Sequence, residues 1–221
     1  MRSVRMRNGV RHGDAGAGAG RVFDRCQDSR IRYRKPADMA DRIYVLIDGE
    51  NLDVTLGSSI LQRAPKPADR PRWERVLEFA HELRGQEAVG LFFINATSGN
   101  TPWPFVAALQ NVGFRAVLLS GSGSEKVVDL GIQRTLDALL QRDGDVLVGS
   151  HDRDFAPQIE ALLDTDREVA MLGFPELMSG IYAEMGVPTY DLEFEAKAFN
   201  HRLPRIRVIP IAEFDPAEFL N

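Results

Sequence analysis

The sequence predicts an α/β domain with a mostly parallel sheet of about five to six strands and helices on both faces. Strand-like and helix-like segments alternate about five times over roughly 150 residues. The strand-like segments are short and continuously apolar, which is typical of strands that are buried on both faces. Hydrophobic residues make up 44% of the 221-residue chain, enough for one sizeable core.

The first strand is predicted from the apolar run Ile43 to Ile47, which stops at Asp48. Leu56 to Arg72 contains several Pro and Arg residues and little periodicity, and we predict a loop there. Later apolar runs predict strands at 88–94, 115–119, 145–149, 168–172 and 189–192. Apolar spacing and helix-start signals predict helices at 73–83, 102–112, 125–141, 156–163 and 175–185.

The regular alternation covers residues 42–195, which we interpret as a single domain. Residues 196–221 lose the pattern and are predicted to be a tail or an edge extension. Within them, the apolar piece Ile206 to Ile211 suits an edge strand or a docking segment.

Residues 1–41 are rich in Arg, Gly and Ala, lack periodicity and are predicted to be disordered. Two explanations remain open. They are either a basic tail that contacts nucleic acid, or residues translated from nucleotide sequence upstream of a true start at Met39. The first 42 residues hold 11 Lys and Arg against 5 Asp and Glu, so the remainder carries a net charge of −11.

An acidic body argues against a nucleic-acid platform that works by charge alone, because such proteins need a basic surface. It is compatible with an acidic site that recruits divalent cations. The single cysteine, Cys26, excludes an internal disulfide, so a reducing cytoplasmic location is expected. No apolar run reaches the roughly 18 residues of a membrane span, and we predict no membrane partner.

Four aspartates stand where a parallel sheet would bring them together. Asp48 follows the first strand, Asp129 lies near the start of the helix after the third, and Asp152 and Asp154 follow the fourth. Right-handed crossovers place these strand ends at one edge of the sheet. Converging carboxylates repel one another unless cations neutralise them, so the pattern predicts a site for one or two Mg²⁺ or Mn²⁺ ions.

Each of these acids also suits a second interpretation, since Asp is favoured at turns and helix N-caps. Asp143 and Asp145 precede the fourth strand, which puts them at the opposite edge of the sheet and outside the predicted site. The histidines are scattered, so no zinc site is predicted.

Three motifs together resemble the NYN domain family of the PIN-like nuclease superfamily over residues 42–192. They are Asp48-Gly49-Glu50-Asn51, Lys126-Val127-Val128-Asp129 and Ser150-His151-Asp152-Arg153-Asp154-Phe155. The resemblance implies a PIN-like, Rossmann-like three-layer fold and metal-dependent RNA cleavage. It also implies Asp48, Asp129, Asp152 and Asp154 as metal ligands, with Asn51 and Ser150 as polar residues beside them. One position departs from the family, which commonly has glycine where His151 stands.

The predicted reaction is metal-assisted hydrolysis of RNA phosphodiester bonds. Lys126 is a candidate to offset phosphate charge and Arg153 to contact a phosphate. Trp103 is assigned to the core, with stacking on a base of single-stranded RNA as the alternative. The oligomeric state, monomer or homodimer, is left open.

Two other functions compete with the ribonuclease. The departure at His151 and the acidic body suit a catalytically weak regulator that binds RNA or a protein. A phosphatase of the haloacid dehalogenase type would also use an Asp-x-Asp pair. That family carries its pair on the first strand, however, whereas Asp152 and Asp154 follow the fourth.

Overall fold

The computed structural model describes residues 41–123, 125–206, 209 and 211–220. Our predictions for residues 1–40, Cys26 and the start at Met39 included, lie outside these described residues. The predicted edge strand at 206–211 falls partly outside them as well.

Six parallel strands form one sheet, as the sequence predicts. They are β1 (Arg42–Asp48), β2 (Glu87–Asn95), β3 (Phe114–Leu119), β4 (Asp145–Gly149), β5 (Val169–Gly173) and β6 (Thr189–Asp191). The strand order is β3-β2-β1-β4-β5-β6, and every neighbouring pair is parallel. The chain therefore builds outward from β1 to β3, returns to the middle and builds outward again from β4. Open α/β sheets form their sites at such a reversal, beyond the carboxyl ends of the strands.

Six α-helices connect the strands. They are α1 (Gly49–Thr55), α2 (Trp73–Arg84), α3 (Trp103–Asn111), α4 (Val127–Leu139), α5 (Ala156–Leu163) and α6 (Gly180–Glu184). Single 3-10 turns follow the ends of β4 and β5, at Arg153–Phe155 and Pro175–Leu177. The predicted helix at 175–185 is thus divided into a 3-10 turn and the short α6.

Helices cover both faces of the sheet, which makes a three-layer fold. Val45 and Ile47 of β1 face a cluster with α1, α2 and α3, whereas Leu46 between them faces a cluster with α4, α5 and α6. Because successive side chains of a strand point to opposite faces, a strand covered on both sides must be apolar throughout. This explains the continuous apolar run on which the strand prediction rests.

The predicted loop from Leu56 to Arg72 is wrong in its first part. Leu56–Leu61 forms a π-helical continuation of α1. Leu52, Leu56 and Ile60 are all buried, and their spacing of four puts them on one helical face. The helix ends at Gln62, whose φ of 53° is left-handed.

Residues beyond 195 pack against the domain. Ala196, Ala198 and Leu203 are buried in the cluster that contains α1 and α2. Within the described residues, no helix is long and apolar enough to cross a membrane.

Candidate metal centre

Asp48 ends β1 at the reversal point of the sheet and is only 2% exposed. One carboxylate oxygen accepts the N–H of Asn51 at 3.1 Å and caps α1. The other accepts the hydroxyl of Ser150 at 3.1 Å. Burial raises the pKa of Asp48 to about 6, opposed by these two hydrogen bonds and reinforced by the charges of Asp129 and Asp152.

Three carboxylates lie together beside Asp48. Asp129, Asp152 and Asp154 each offer one oxygen, and these atoms lie within 4.8 Å of one another. Asp129 comes from the first turn of α4, whereas the other two come from the segment after β4. We call these three residues the acidic cluster. Asp48 lies outside the 4.8 Å group, although its pKa responds to two of its members.

Lys126 is the cation paired with the acidic cluster in the structure. Its ammonium lies 3.2 Å from Asp129 and 3.3 Å from Asp154, and its side chain is 68% exposed. These two partners raise the pKa of Lys126. The ion pairs are open to water, so each contributes little to stability.

Local hydrogen bonds fix the backbone that carries Asp152 and Asp154. Ser150 is fully buried, and its hydroxyl oxygen accepts the N–H of Asp152 at 3.2 Å. The carboxylate of Asp152 in turn accepts the N–H of Asp154 at 3.0 Å and caps the following 3-10 turn. Asp152 therefore both caps a turn and belongs to the acidic cluster, while Asp48 caps α1 and interacts electrostatically with that cluster. The two interpretations of these acids do not exclude each other.

His151 points away from the acids and toward the end of β5. Its backbone N–H and Nδ1 both lie near Asn51 Oδ1, at 2.9 and 3.1 Å, and its Nε2 accepts the N–H of Phe174 at 2.8 Å. The ring stacks on Phe174 with centroids 5.5 Å apart. Burial lowers the pKa of His151 to about 4, so the ring is neutral at pH 7, with its proton on Nδ1.

The other predicted residues fall in different places. Asn51 binds His151 through its side-chain oxygen. Arg153 is exposed, and within the described part of the chain its side chain makes no hydrogen bond or ion pair. Asp145 lies at the opposite edge, as predicted, and accepts from Gln86 at 2.7 Å.

Sequence reasoning missed two residues that support the site. The buried Tyr182 of α6 donates its hydroxyl to the backbone carbonyl of Asp152. Gln133, one turn beyond Asp129 on α4, donates to the carbonyl of Asp154 at 3.0 Å. The spacing of four on α4 could have indicated Gln133, but nothing local to Tyr182 indicates its distant partner.

A family model for the NYN domain matches residues 42–183 of this chain. The chain belongs to the NYN domain family. NYN domains are part of the PIN-like nuclease superfamily, and the three-layer parallel fold is consistent with that membership. The matched range includes the whole acidic cluster, together with Asp48 and Lys126.

A solved structure shares the fold of this NYN domain. It is the crystal structure of a protein of unknown function from Vibrio parahaemolyticus, with a TM-score of 0.56 and 20% sequence identity. The likeness covers 72% of this chain and 96% of the other. At this identity it extends to the fold only. Among curated proteins, no significant match is found.

The donor set of the NYN domain suits a hard divalent cation. The three side chains of the acidic cluster offer carboxylate oxygens, which are the ligands that Mg²⁺ and Mn²⁺ prefer. Asp129 and Asp152 are half-buried and Asp154 is exposed, so the cluster opens to solvent. An ion and a ligand bound to it could therefore enter without unfolding the domain.

Proposed function

We propose that the protein is a metal-dependent ribonuclease that hydrolyses RNA phosphodiester bonds with Mg²⁺ or Mn²⁺. The observation that carries the proposal is the acidic cluster at the reversal point of an NYN domain, with the buried Asp48 directly beside it. A cytoplasmic location follows from the RNA substrate and from the single cysteine.

Asp129, Asp152 and Asp154 would hold the cation through one carboxylate oxygen each. A bound Mg²⁺ or Mn²⁺ would supply an activated water and neutralise charge on the phosphate. Asp48 lies beneath them and would add negative charge once it is ionised, since its pKa is about 6. Ser150 holds Asp48 and the N–H of Asp152 at fixed positions and so orients both acids.

Two basic residues would act on the substrate. Lys126 already lies against two members of the acidic cluster, and a bound cation would release its ammonium to contact a phosphate oxygen. Arg153 projects into solvent from the same segment as Asp152 and would pair with a flanking phosphate.

The test is Mn²⁺-dependent cleavage of a labelled single-stranded RNA. Asp48→Asn and Asp152→Asn, made separately, are expected to lower the rate at least a hundredfold, because each removes a negative charge at the site. Asp143→Asn is the matched control, since Asp143 is exposed and precedes β4 at the opposite edge. Wild-type rates in both site variants would show that the assignment is wrong.

A second candidate is an NYN protein that binds RNA or a protein partner and cleaves poorly. It is favoured by Lys126, whose ammonium already forms ion pairs with two members of the acidic cluster. Such a protein would bind RNA or a stoichiometric partner with equal affinity in the presence of Mn²⁺ or of EDTA, and would release no cleavage product.

A further inference from the structure

Trp103 is a large apolar side chain left in solvent. It is 65% exposed, whereas Trp73, the other tryptophan of the chain, is 8% exposed. Within the described residues, the Trp103 ring contacts no other aromatic ring or cation. It is the first residue of α3 and stands between Pro102 and Pro104, whose fixed φ angles limit its backbone motion. The expectation that Trp103 belongs to the core is therefore wrong.

One set of contacts links the start of α3 to the residue after Asp48. Phe105, two residues after Trp103, packs edge-on against Phe92 with ring centroids 5.3 Å apart. The Phe92 ring in turn covers Gly49, the residue after Asp48, so closely that a Cβ there would lie 2.3 Å from it. Two successive contacts thus connect the base of the Trp103 turn to the residue that follows Asp48.

A second set of contacts connects the preceding loop to the acidic cluster. The hydroxyl oxygen of Thr97 accepts the N–H of Gly121 at 3.1 Å. Gly121 packs against Val127, the first residue of α4, since a Cβ on it would lie 2.5 Å from Val127 Cγ1. Asp129 stands in that same first turn. Trp103, in the connection after β2, and the acidic cluster therefore both lie at the carboxyl edge of the sheet.

The charge of the domain sets a requirement for any RNA ligand. Residues 43–221 carry a net charge of −11, so long-range electrostatics disfavour a polyanion. Stacking of a nucleobase on an aromatic ring needs no positive charge and occurs with every base. An exposed indole at the same edge of the sheet as the acids, on a backbone restricted by two prolines, meets this requirement.

We propose that Trp103 is a stacking platform for an unpaired nucleobase of single-stranded RNA, at the same edge of the sheet as the acidic cluster. This inference rests on the proposed ribonuclease function and deepens it. In a duplex the bases are already stacked on one another, so Trp103 selects single strands. The scissile phosphate then lies a short distance along the strand from the stacked base.

Binding is measured in the Asp152→Asn background so that the RNA stays intact. A 12-nucleotide single strand is titrated against Trp103→Ala, Trp103→Phe and the control Phe219→Ala, which removes another exposed aromatic ring. Trp103→Ala is expected to weaken binding roughly tenfold, the range found for loss of one stacked base, and Trp103→Phe by about threefold or less. Phe219→Ala is expected to bind the single strand with unchanged affinity. The Trp103 variants are expected to bind the matching duplex with unchanged affinity.

Tryptophan fluorescence gives an independent measurement. The single strand should quench the exposed Trp103, and the quenching should disappear in Trp103→Phe, where only the buried Trp73 still emits. Unchanged affinity in Trp103→Ala, or equal quenching by the duplex, would overturn the stacking proposal. Cleavage is assayed separately with Asp152 intact. If the protein cleaves RNA but substitution of Trp103 does not change RNA affinity, the ribonuclease proposal holds and the stacking proposal fails. If substitution of Trp103 weakens RNA binding but no cleavage is seen, the stacking proposal holds and the ribonuclease proposal fails.

Discussion

Two groups of three carboxylates in this domain differ in their surroundings, since one is paired with an exposed cation and the other with a buried one. The acidic cluster faces the mostly exposed Lys126. Glu176, Asp191 and Glu193 instead surround Arg205, whose side chain is 2% exposed. All five N–H groups of that guanidinium donate to the three acids, at 2.6 to 2.9 Å. Phe174 also lies against it, with its centroid 4.8 Å away.

The difference separates an internal structural role from a site open to ligands. Each of the three acids around Arg205 accepts at least one hydrogen bond from its buried guanidinium. The group joins the C-terminal residues to the ends of β5 and β6. At the acidic cluster the mostly exposed Lys126 pairs with two of the three acids, and the buried Asp48 adds a further carboxylate. Both groups set three carboxylates against one cationic side chain, so exposure and fixed hydrogen bonding distinguish them rather than net charge. Carboxylate oxygens that face solvent mark the place where a cation can bind.

The largest effect is expected from Arg205→Ala. It leaves three carboxylates around a buried gap, and removing one partner of a buried ion pair costs roughly 3–5 kcal/mol. Urea unfolding should show this loss in the free energy of unfolding.

Arg70→Ala is the matched control for Arg205→Ala. It removes a guanidinium that also binds one carboxylate through two hydrogen bonds, to Asp53 at 2.8 and 2.9 Å, but in a more exposed place. The cost there should stay below about 1 kcal/mol. Equal losses in the two variants would contradict the contrast between buried and exposed groups.

Asp48→Asn, in contrast to Arg205→Ala, is expected to raise the free energy of unfolding. Because the pKa of Asp48 rises from 3.8 to about 6 on folding, protonated Asp48 favours the folded state below pH 4, and this contribution is lost as the pH rises through 6. Asparagine keeps the uncharged form at every pH. The variant should therefore exceed the wild type by about 2–3 kcal/mol at pH 8 and match it below pH 4.

Thermal and urea unfolding at both pH values measure the effect of Asp48→Asn. The exposed Asp143→Asn should show no such pH dependence. A variant less stable than the wild type at pH 8 would mean that the hydrogen bonds from Asn51 and Ser150 outweigh the cost of burial.

The smallest effect is expected from Lys126→Ala. Removing the ammonium frees oxygens of Asp129 and Asp154, so Mn²⁺ should bind up to about fivefold more tightly, in keeping with the low energy of exposed ion pairs. Electron paramagnetic resonance of free Mn²⁺ measures this affinity. Arg134→Ala, on the exposed side of the same helix, should leave it unchanged. Weaker binding in Lys126→Ala would mean that the lysine supports the cation.

Features that follow from the local residue pattern could be predicted from the sequence. A continuous apolar run gives a buried strand, right-handed crossovers bring strand ends to one edge, and Asp48 and Asp152 therefore lie together at the reversal point. The π-helix after α1 was missed because Gly57, Ser58 and Ser59 obscure the spacing of Leu56 and Ile60.

Contacts between distant residues could not be predicted. The partners of Arg205 lie 12 to 29 residues away, and Arg205 itself lies in a segment without periodicity. Trp103 stands three residues before the buried Val106, a spacing that favours the core, yet as the first residue of α3 it is left exposed at the edge of the sheet.

Gly173 and His151 restrict each other's substitution. A Cβ at position 173 would lie 2.7 Å from His151 Nε2, so the imidazole occupies the space that any side chain at 173 would need. The observed orientation of His151, with its Nε2 accepting the N–H of Phe174, therefore requires glycine at 173. We expect the two positions to covary, with side chains at 173 found mainly in relatives that have glycine at 151, and an alignment of NYN domains would test this.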